Sequence, residues 1–374
     1  MRILVYEYAS GGGLAGRRVP ASLVREGAAM RQALVEDLAR DGAHEIVTTI
    51  DRRMDGCTCG VEVAALPPGD RARAAALDAL IDRVDAVWPI APETDGCLER
   101  LASRIVHRGA FLIASPPDAI DRAADKQRLP TLLAAAGVSH PTTHAVTRRA
   151  SAVRAANRMG YPIVVKPARG AGSSGVGLAR SVRELLPALA RARAAARTGR
   201  VLLQPRIDGL AASVSLLANG DDALPLAVNT QVFDRSTPFA YRGGVTPIRH
   251  PLAARACMTA VAACRAVGGL RGFVGVDVIL TSADVVVVEI NPRLTTAYLG
   301  VRAAFDANVA SLALAACAGR LPVQPPRAAR RVRFSASGEV GVDDDVRAAV
   351  AQASTPAFAS SSAEGPRDRS ARVV

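Results

Sequence analysis

The sequence predicts an α/β (α+β) protein of several domains, an open α/β unit followed by a region of antiparallel strands. Three observations carry this. The 374 residues, 49% of them apolar, exceed one comfortable core. The N-terminus runs strand, glycine turn, helix, the order of a nucleotide-type fold. From Arg200 onward short β-rich runs recur in pairs joined by turn residues.

Within residues 1–115, Arg2–Tyr6 reads as a first strand; Glu7 breaks its apolar run too early for a signal peptide. Ser10-Gly11-Gly12-Gly13 is a tight turn, and Leu23–Arg40 has helical spacing through Val24, Met30, Leu34 and Leu38. Glu45–Ile50, Ala86–Ile90 and Arg108–Ile113 supply further strands, with a helix over Ala74–Arg83. The turn lacks G-x-G-x-x-G, so it gives little support to a dinucleotide site. Ligands of open sheets bind beyond the carboxyl ends of the strands, which directs attention to the loop Pro89–Gly96. There Glu93 and Asp95 are candidates either for contact with a substrate amino group or for capping the helix over Leu98–Val106.

Ser115-Pro116-Pro117 marks a boundary, and the next helix carries Asp125-Lys126. A helix over Ser151–Met159 leads to the stretch Ile163–Gly177, which holds Lys166. Of 47 basic residues only Lys126 and Lys166 are lysines. A chain that uses arginine for generic positive charge has kept an ammonium at two places, where a compact point charge differs from a planar fork. Gly170–Gly175 matches G-x-G-x-x-G by letter, yet strand-like sequence follows it and its lysine precedes the glycines, so neither a Rossmann fingerprint nor a P-loop applies. The stretch reads instead as a hairpin tip whose Gly172, Ser173, Ser174 and Gly175 present N–H and hydroxyl groups to phosphate oxygens. A lid helix over Val182 to Arg197 follows.

Val201–Gly209 runs from a buried strand into a connector, Gln204-Pro205-Arg206-Ile207-Asp208, suited to hydrogen-bonding an adenine edge through its backbone. Ala212–Ala218 and Leu224–Gln231 are antiparallel strands about the turn Asn219–Asp222. Tyr241–Pro247 reads as a glycine-bearing loop carrying Arg242, and Leu252–Val267 as a helix. Gly272–Leu280 and Asp284–Arg293 then form a hairpin whose apolar strands contain Asp277 and Glu289. Period-two alternation puts Glu289 and Asn291 on one face, and antiparallel pairing brings Asp277 beside them. Two acids so placed are costly without a cation between them. Three hard oxygen ligands suit Mg²⁺, or Mn²⁺ in its place, shared with nucleotide phosphates.

Other classes fit poorly. The six cysteines and five histidines show no zinc spacing beyond the lone Cys57-Thr58-Cys59. No apolar run reaches membrane-spanning length, so a cytoplasmic protein without a membrane partner is expected. The net charge of +13 comes with 3% aromatics and no stacking platform, so specific nucleic-acid binding is not expected. From Pro325 to residue 374 the chain becomes a basic, Ala/Ser-rich tail, with a short strand near Val332–Phe334.

In order along the chain, Lys126, Lys166 with the Gly170–Gly177 loop, Gln204–Asp208, Asp277 and Glu289-Ile290-Asn291 resemble the ATP-grasp carboxylate–amine ligases. The resemblance covers about residues 1–320. It implies an ATP-grasp fold with a Rossmann-like pre-ATP-grasp domain (1–115), a small lid subdomain (116–199) and a central subdomain (200–324). It also implies that both lysines contact ATP phosphates, that Asp277, Glu289 and Asn291 hold Mg²⁺, and that Arg293, then Arg242, stabilise the transferring phosphoryl group or the tetrahedral intermediate. Gly275 stands where D-alanine ligases carry arginine, against that specificity. The motifs Val5–Tyr8, Ile90–Glu93, Tyr241–Pro247 and Glu289–Thr296 are most similar to the tyramine–glutamate ligase branch of methanofuran biosynthesis. That branch implies an amino acid and an amine as small-molecule partners and Glu7, Glu93, Thr295 and Thr296 as substrate contacts; a homodimer is the assembly expected, on no motif of the sequence.

Overall fold

The computed structural model describes residues 1–53, 60–170, 174–196, 200–234 and 239–343. Cys57 and Cys59, Gly172 and Ser173, and residues 344–374 lie outside the described residues.

The first sheet is parallel, in the spatial order Glu62–Leu66, Glu45–Asp51, Arg2–Glu7, Ala86–Ile90, Phe111–Leu112. Its central strand buries Ile3, Leu4 and Val5 completely because helices cover both faces, which is why it reads as a continuous apolar run. The helix Ala21–Arg40 lies on one side; Asp70–Ile81 and Cys97–His107 pack with a second apolar cluster on the other. The Glu62–Leu66 strand was not expected: it is an edge strand, half exposed, with no apolar alternation to mark it.

A small antiparallel sheet follows, ordered His144–Val146, Val201–Pro205, Ile163–Pro167, Gly177–Ala179. The helices Arg149–Met159 and Val182–Ala195 bury Ala152, Ala155, Leu185 and Ala188 against it. Lys126 does not lie on a helix. The helix Pro117–Ala124 stops one residue before Asp125, whose carboxylate accepts from Gln127 N at 2.9 Å and Arg128 N at 3.1 Å and so closes a turn holding Lys126.

The third sheet, wholly antiparallel, runs Ala223–Thr230, Leu210–Asn219, Arg271–Leu280, Val285–Asn291. The helix Ala253–Val267 covers one face and Val309–Cys317 the other, so these strands too are apolar on both sides. Acids here stand out for that reason.

The fourth sheet corrects one expectation and extends another. Residues Tyr241–Thr246 form a strand, not a loop, between Val232–Phe233 and Val332–Ser335. Its glycines serve close strand approach: a Cβ on Gly243 would lie 2.0 Å from Phe334 O, and one on Gly244 2.0 Å from Thr230 O. In the segment from Pro325 the short strand expected near Val332–Phe334 is present as Val332–Ser335, and a further strand that was not expected, Val340–Val342, completes this sheet.

Candidate active site

The site is built on the hairpin Arg271–Leu280/Val285–Asn291. Asp277 pairs directly with Glu289 and Gly275 with Asn291 across the ladder. The register slips immediately after Asp277, where Val278 pairs with Val287, and this bulge ends regular pairing beside the acids. Asn291 Nδ2 donates to Asp277 Oδ2 at 3.3 Å, and Gln231 Nε2, just past the end of the Ala223–Thr230 strand two places away in the sheet, donates to Asp277 Oδ1 at 2.9 Å. Sequence reasoning did not name Gln231, which lies 46 positions from its partner.

Lys126 Nζ stands 2.6 Å from Glu289 Oε1. Lys166, on the Ile163–Pro167 strand, is buried, and it lines a small crevice together with Lys126, His140 and Gln204. Two lysines from separate elements thus face two acids. Burial, then Glu289, pushes the Asp277 carboxyl up to about 7. Burial would raise Glu289 as well, but Lys126, Lys166 and Arg293 outweigh it and hold that carboxyl below its ordinary value. Burial, then Lys126, lowers Lys166 to about 8. The cluster is therefore short of positive charge at Asp277 and crowded with it at Lys166. A phosphate beside the lysines and a cation beside the acids relieve both.

Arg293 follows the hairpin. Its Nε and Nη2 donate to Glu93 Oε1 and Oε2 at 2.8 and 3.1 Å, a bidentate pair linking the first sheet's strand-end loop to the third sheet. Glu93 therefore neither caps a helix nor meets solvent: the helix Cys97–His107 starts at Gly96 with no side-chain cap. Glu7 is also engaged, accepting from Ala9 N at 3.0 Å and from Ser10 N, and burial raises its carboxyl. Thr295 packs on Gly275, where a Cβ would lie 2.8 Å from Thr295 Cγ2, so an arginine at 275 would displace it. The Thr296 hydroxyl donates to Glu26 of the Ala21–Arg40 helix, a residue not expected from the sequence.

A cleft of about 1930 Å³ opens beside the acids, bounded by Lys166, Gly177, Ile207, Arg242, Asp277 and Glu289. Along its wall Gln204 Nε2 donates to Thr143 Oγ1 at 2.8 Å, and Arg206 pairs with Asp208 at 2.8 Å. Arg242 donates to Asp234 and so faces the cleft tethered. Ser174 is exposed, Gly175 has φ 75°, and a Cβ there would lie 2.6 Å from Ala195 Cβ, so the loop backbone lies against the Val182–Ala195 helix. Gly172 and Ser173 lie outside the described residues.

The donor set fits Mg²⁺: two carboxylates and an amide on adjacent strands, hard oxygen ligands, with like-charge crowding that a divalent cation relieves. The lysines and the large cleft fit a nucleoside triphosphate.

Comparison with known proteins agrees. A pre ATP-grasp 3 domain model matches residues 44–120 and an ATP-grasp domain model residues 123–297. The tyramine–L-glutamate ligase of Methanocaldococcus jannaschii is 39% identical over 101 residues, 27% of this chain and 32% of that protein. The chain thus spans about a third of the length of the curated relatives it first matches. A crystal structure of an ATP-grasp superfamily protein from Archaeoglobus fulgidus has TM-score 0.66 and 25% identity, covering 89% of this chain and 92% of that one. Biotin carboxylase from Campylobacter jejuni, in complex with β,γ-ATP, has TM-score 0.71 over 88% of this chain and 74% of that one; at 16% identity it bears on the fold alone. Fold, residue order and both family models converge: the chain has the ATP-grasp fold, a pre-ATP-grasp domain followed by an ATP-grasp domain.

Proposed function

We propose that the chain is an ADP-forming carbon–nitrogen ligase that uses ATP and Mg²⁺ to activate a carboxylate as an acyl phosphate and couples it to an amine. The proposed substrates are the γ-carboxylate of glutamate and tyramine or a tyrosine-like amine, in the making of a methanofuran-type cofactor. One observation carries the reading: Lys126 and Lys166, from different elements, converge on the paired acids Asp277 and Glu289. The partial match to a tyramine–L-glutamate ligase supports the substrate choice.

In this reading Lys126 and Lys166 neutralise phosphate oxygens, and the Gln204–Asp208 connector receives the adenine. Ser174 and Gly175, described residues of the glycine-rich loop, offer a hydroxyl and N–H groups to phosphate oxygens. Asp277, Glu289 and Asn291 would hold Mg²⁺, which when bound spreads the negative charge of the phosphoryl group. The substrate carboxylate oxygen attacks the γ-phosphorus and ADP leaves. The amine, as its neutral form, then attacks the acyl carbon, the bond from that carbon to the phosphate oxygen breaks, and the proton lost from nitrogen leaves with the phosphate. Phosphoryl transfer needs positioning and charge neutralisation, which these residues supply without a protein nucleophile. Arg293, held by Glu93, is placed for the oxyanion, and Arg242 is the second candidate. Thr295 and Thr296 border the substrate. A homodimer is proposed as the assembly, measurable by sedimentation.

The test is incubation with ATP, Mg²⁺, glutamate and tyramine or tyrosine, with ADP and amide measured. Amine-dependent ADP release matched by amide is expected. No amine-dependent ADP across a panel of amines and amino acids overturns the proposal.

A further inference from the structure

The carboxylates that the first domain brings toward the hairpin do not have the same partners. Glu93 is fully engaged by Arg293, and Glu7 is turned onto the backbone of Ala9 and Ser10. Glu26 is different. Its carboxylate accepts the Thr296 hydroxyl and has no ion-pair partner among the described residues. It sits on the Ala21–Arg40 helix, which approaches the first strand closely because Gly27 follows it: a Cβ on Gly27 would lie 2.4 Å from Glu7 Oε2. That approach sets Glu26 beside Thr296, next to Thr295, which packs on Gly275 opposite Asn291. The Glu26 charge is also felt by Arg293 and by Tyr241, whose hydroxyl senses Asp277 as well. Glu26, held by one neutral donor, thus lies near enough to Arg293 and Tyr241 for its charge to act on both.

We propose that Glu26, oriented by Thr296, binds the primary ammonium group of a substrate and is the specificity-determining carboxylate supplied by the first domain. This rests on the ligase reading for its substrates, both of which carry an ammonium. The amine nucleophile and the amino acid's α-ammonium present the same chemistry, and the experiment separates them.

Calorimetric binding to the full chain, with a non-hydrolysable ATP analogue and Mg²⁺, compares tyramine with tyrosol and glutamate with glutarate, each pair differing by the ammonium. The wild type is expected to prefer one ammonium partner by ~10- to 100-fold, as for a charge-assisted hydrogen bond. Glu26→Gln keeps an acceptor for Thr296 and removes only the charge, so that preference should vanish with affinity for the ATP analogue and thermal stability unchanged. Preference within the tyramine pair assigns Glu26 to the nucleophile, and preference within the glutamate pair assigns it to the amino acid. A preference surviving in Glu26→Gln, or no preference in the wild type, overturns the proposal. A Glu26-dependent preference without amine-dependent ADP release supports this site while overturning the ligase reading.

Discussion

Two charge clusters, one around a buried acid and one around half-buried acids, join different parts of this chain, and they are solved in opposite ways. At Asp37, 1% exposed, Arg302 donates from Nε and Nη2 at 2.7 Å each, and the Tyr298 hydroxyl donates as well. Asn308 adds a bond to Asp37 O at 2.7 Å, and Tyr298 packs edge-on against Phe273 at 5.7 Å. Every charge there has its partner, and the cluster clamps the first helix to the helices Ala297–Ala304 and Val309–Cys317. At Asp277 and Glu289 the acids face each other across a ladder, and one of them is pushed up to about 7. The first cluster is architecture. The second leaves two acids side by side with only Lys126, among the described residues, in direct ion-pair contact.

This contrast can be broken from either side. The largest effect is expected for Glu289→Gln, with kcat reduced ~10³-fold and thermal stability retained, since a phosphoryl-transfer metal contact is worth several kcal/mol. Activity within about threefold of wild type would remove the metal assignment. Asp37→Ala should do the reverse, costing about 3 kcal/mol by removing the buried carboxylate that Arg302 and the Tyr298 hydroxyl share, with only Glu36 at 3.2 Å left among the described residues to pair Arg302; urea unfolding followed by Trp88 fluorescence measures it, and an unchanged midpoint would make the clamp ornamental. Lys166→Arg should lose ~10- to 100-fold in kcat/KM, because the fork cannot replace a point-charge contact to phosphate. Full activity would undo the argument from lysine scarcity. Glu93→Gln should lower kcat ~10-fold with KM for ATP little changed, since Glu93 only aims Arg293, and Glu93→Asp should restore part of it.

The smallest effect concerns protons. Burial, then Lys126, holds Lys166 near 8 in the free protein. Bound phosphate favours the ammonium and raises that value, so ATP binding above pH 8 takes up a proton and weakens as pH rises. Calorimetry in two buffers of different ionisation enthalpy at pH 8.5 should register the uptake, and its absence would assign the shift elsewhere.

Much of this was legible in the sequence where chemistry broke a local pattern. Asp277 and Glu289 interrupt apolar strands, and the two lysines interrupt an arginine habit. Elements without such contrast were missed. The helix Val309–Cys317 is apolar nearly all round because it lies between a sheet and the first helix, so no amphipathic stripe marks it, and Ala297–Ala304 is only eight residues long. Tyr241–Thr246 looked like a loop because the glycines that let strands approach are also turn residues. The contacts that aim the site were beyond local reading: Glu93 reaches Arg293 over 200 positions and Thr296 reaches Glu26 over 270. Glu7 and Glu93 looked free for substrate because no sequence pattern reports which acids the fold has already paired.

In the proposed reaction the hairpin acids and the two lysines support transfer of a phosphoryl group to a carboxylate. Glutamate carrying ¹⁸O in its γ-carboxylate, turned over with ATP, Mg²⁺ and tyramine, tests it most directly. One ¹⁸O should pass into inorganic phosphate for each amide formed, because the acyl phosphate carries that oxygen away. Amide formation with no label in the phosphate would contradict the account.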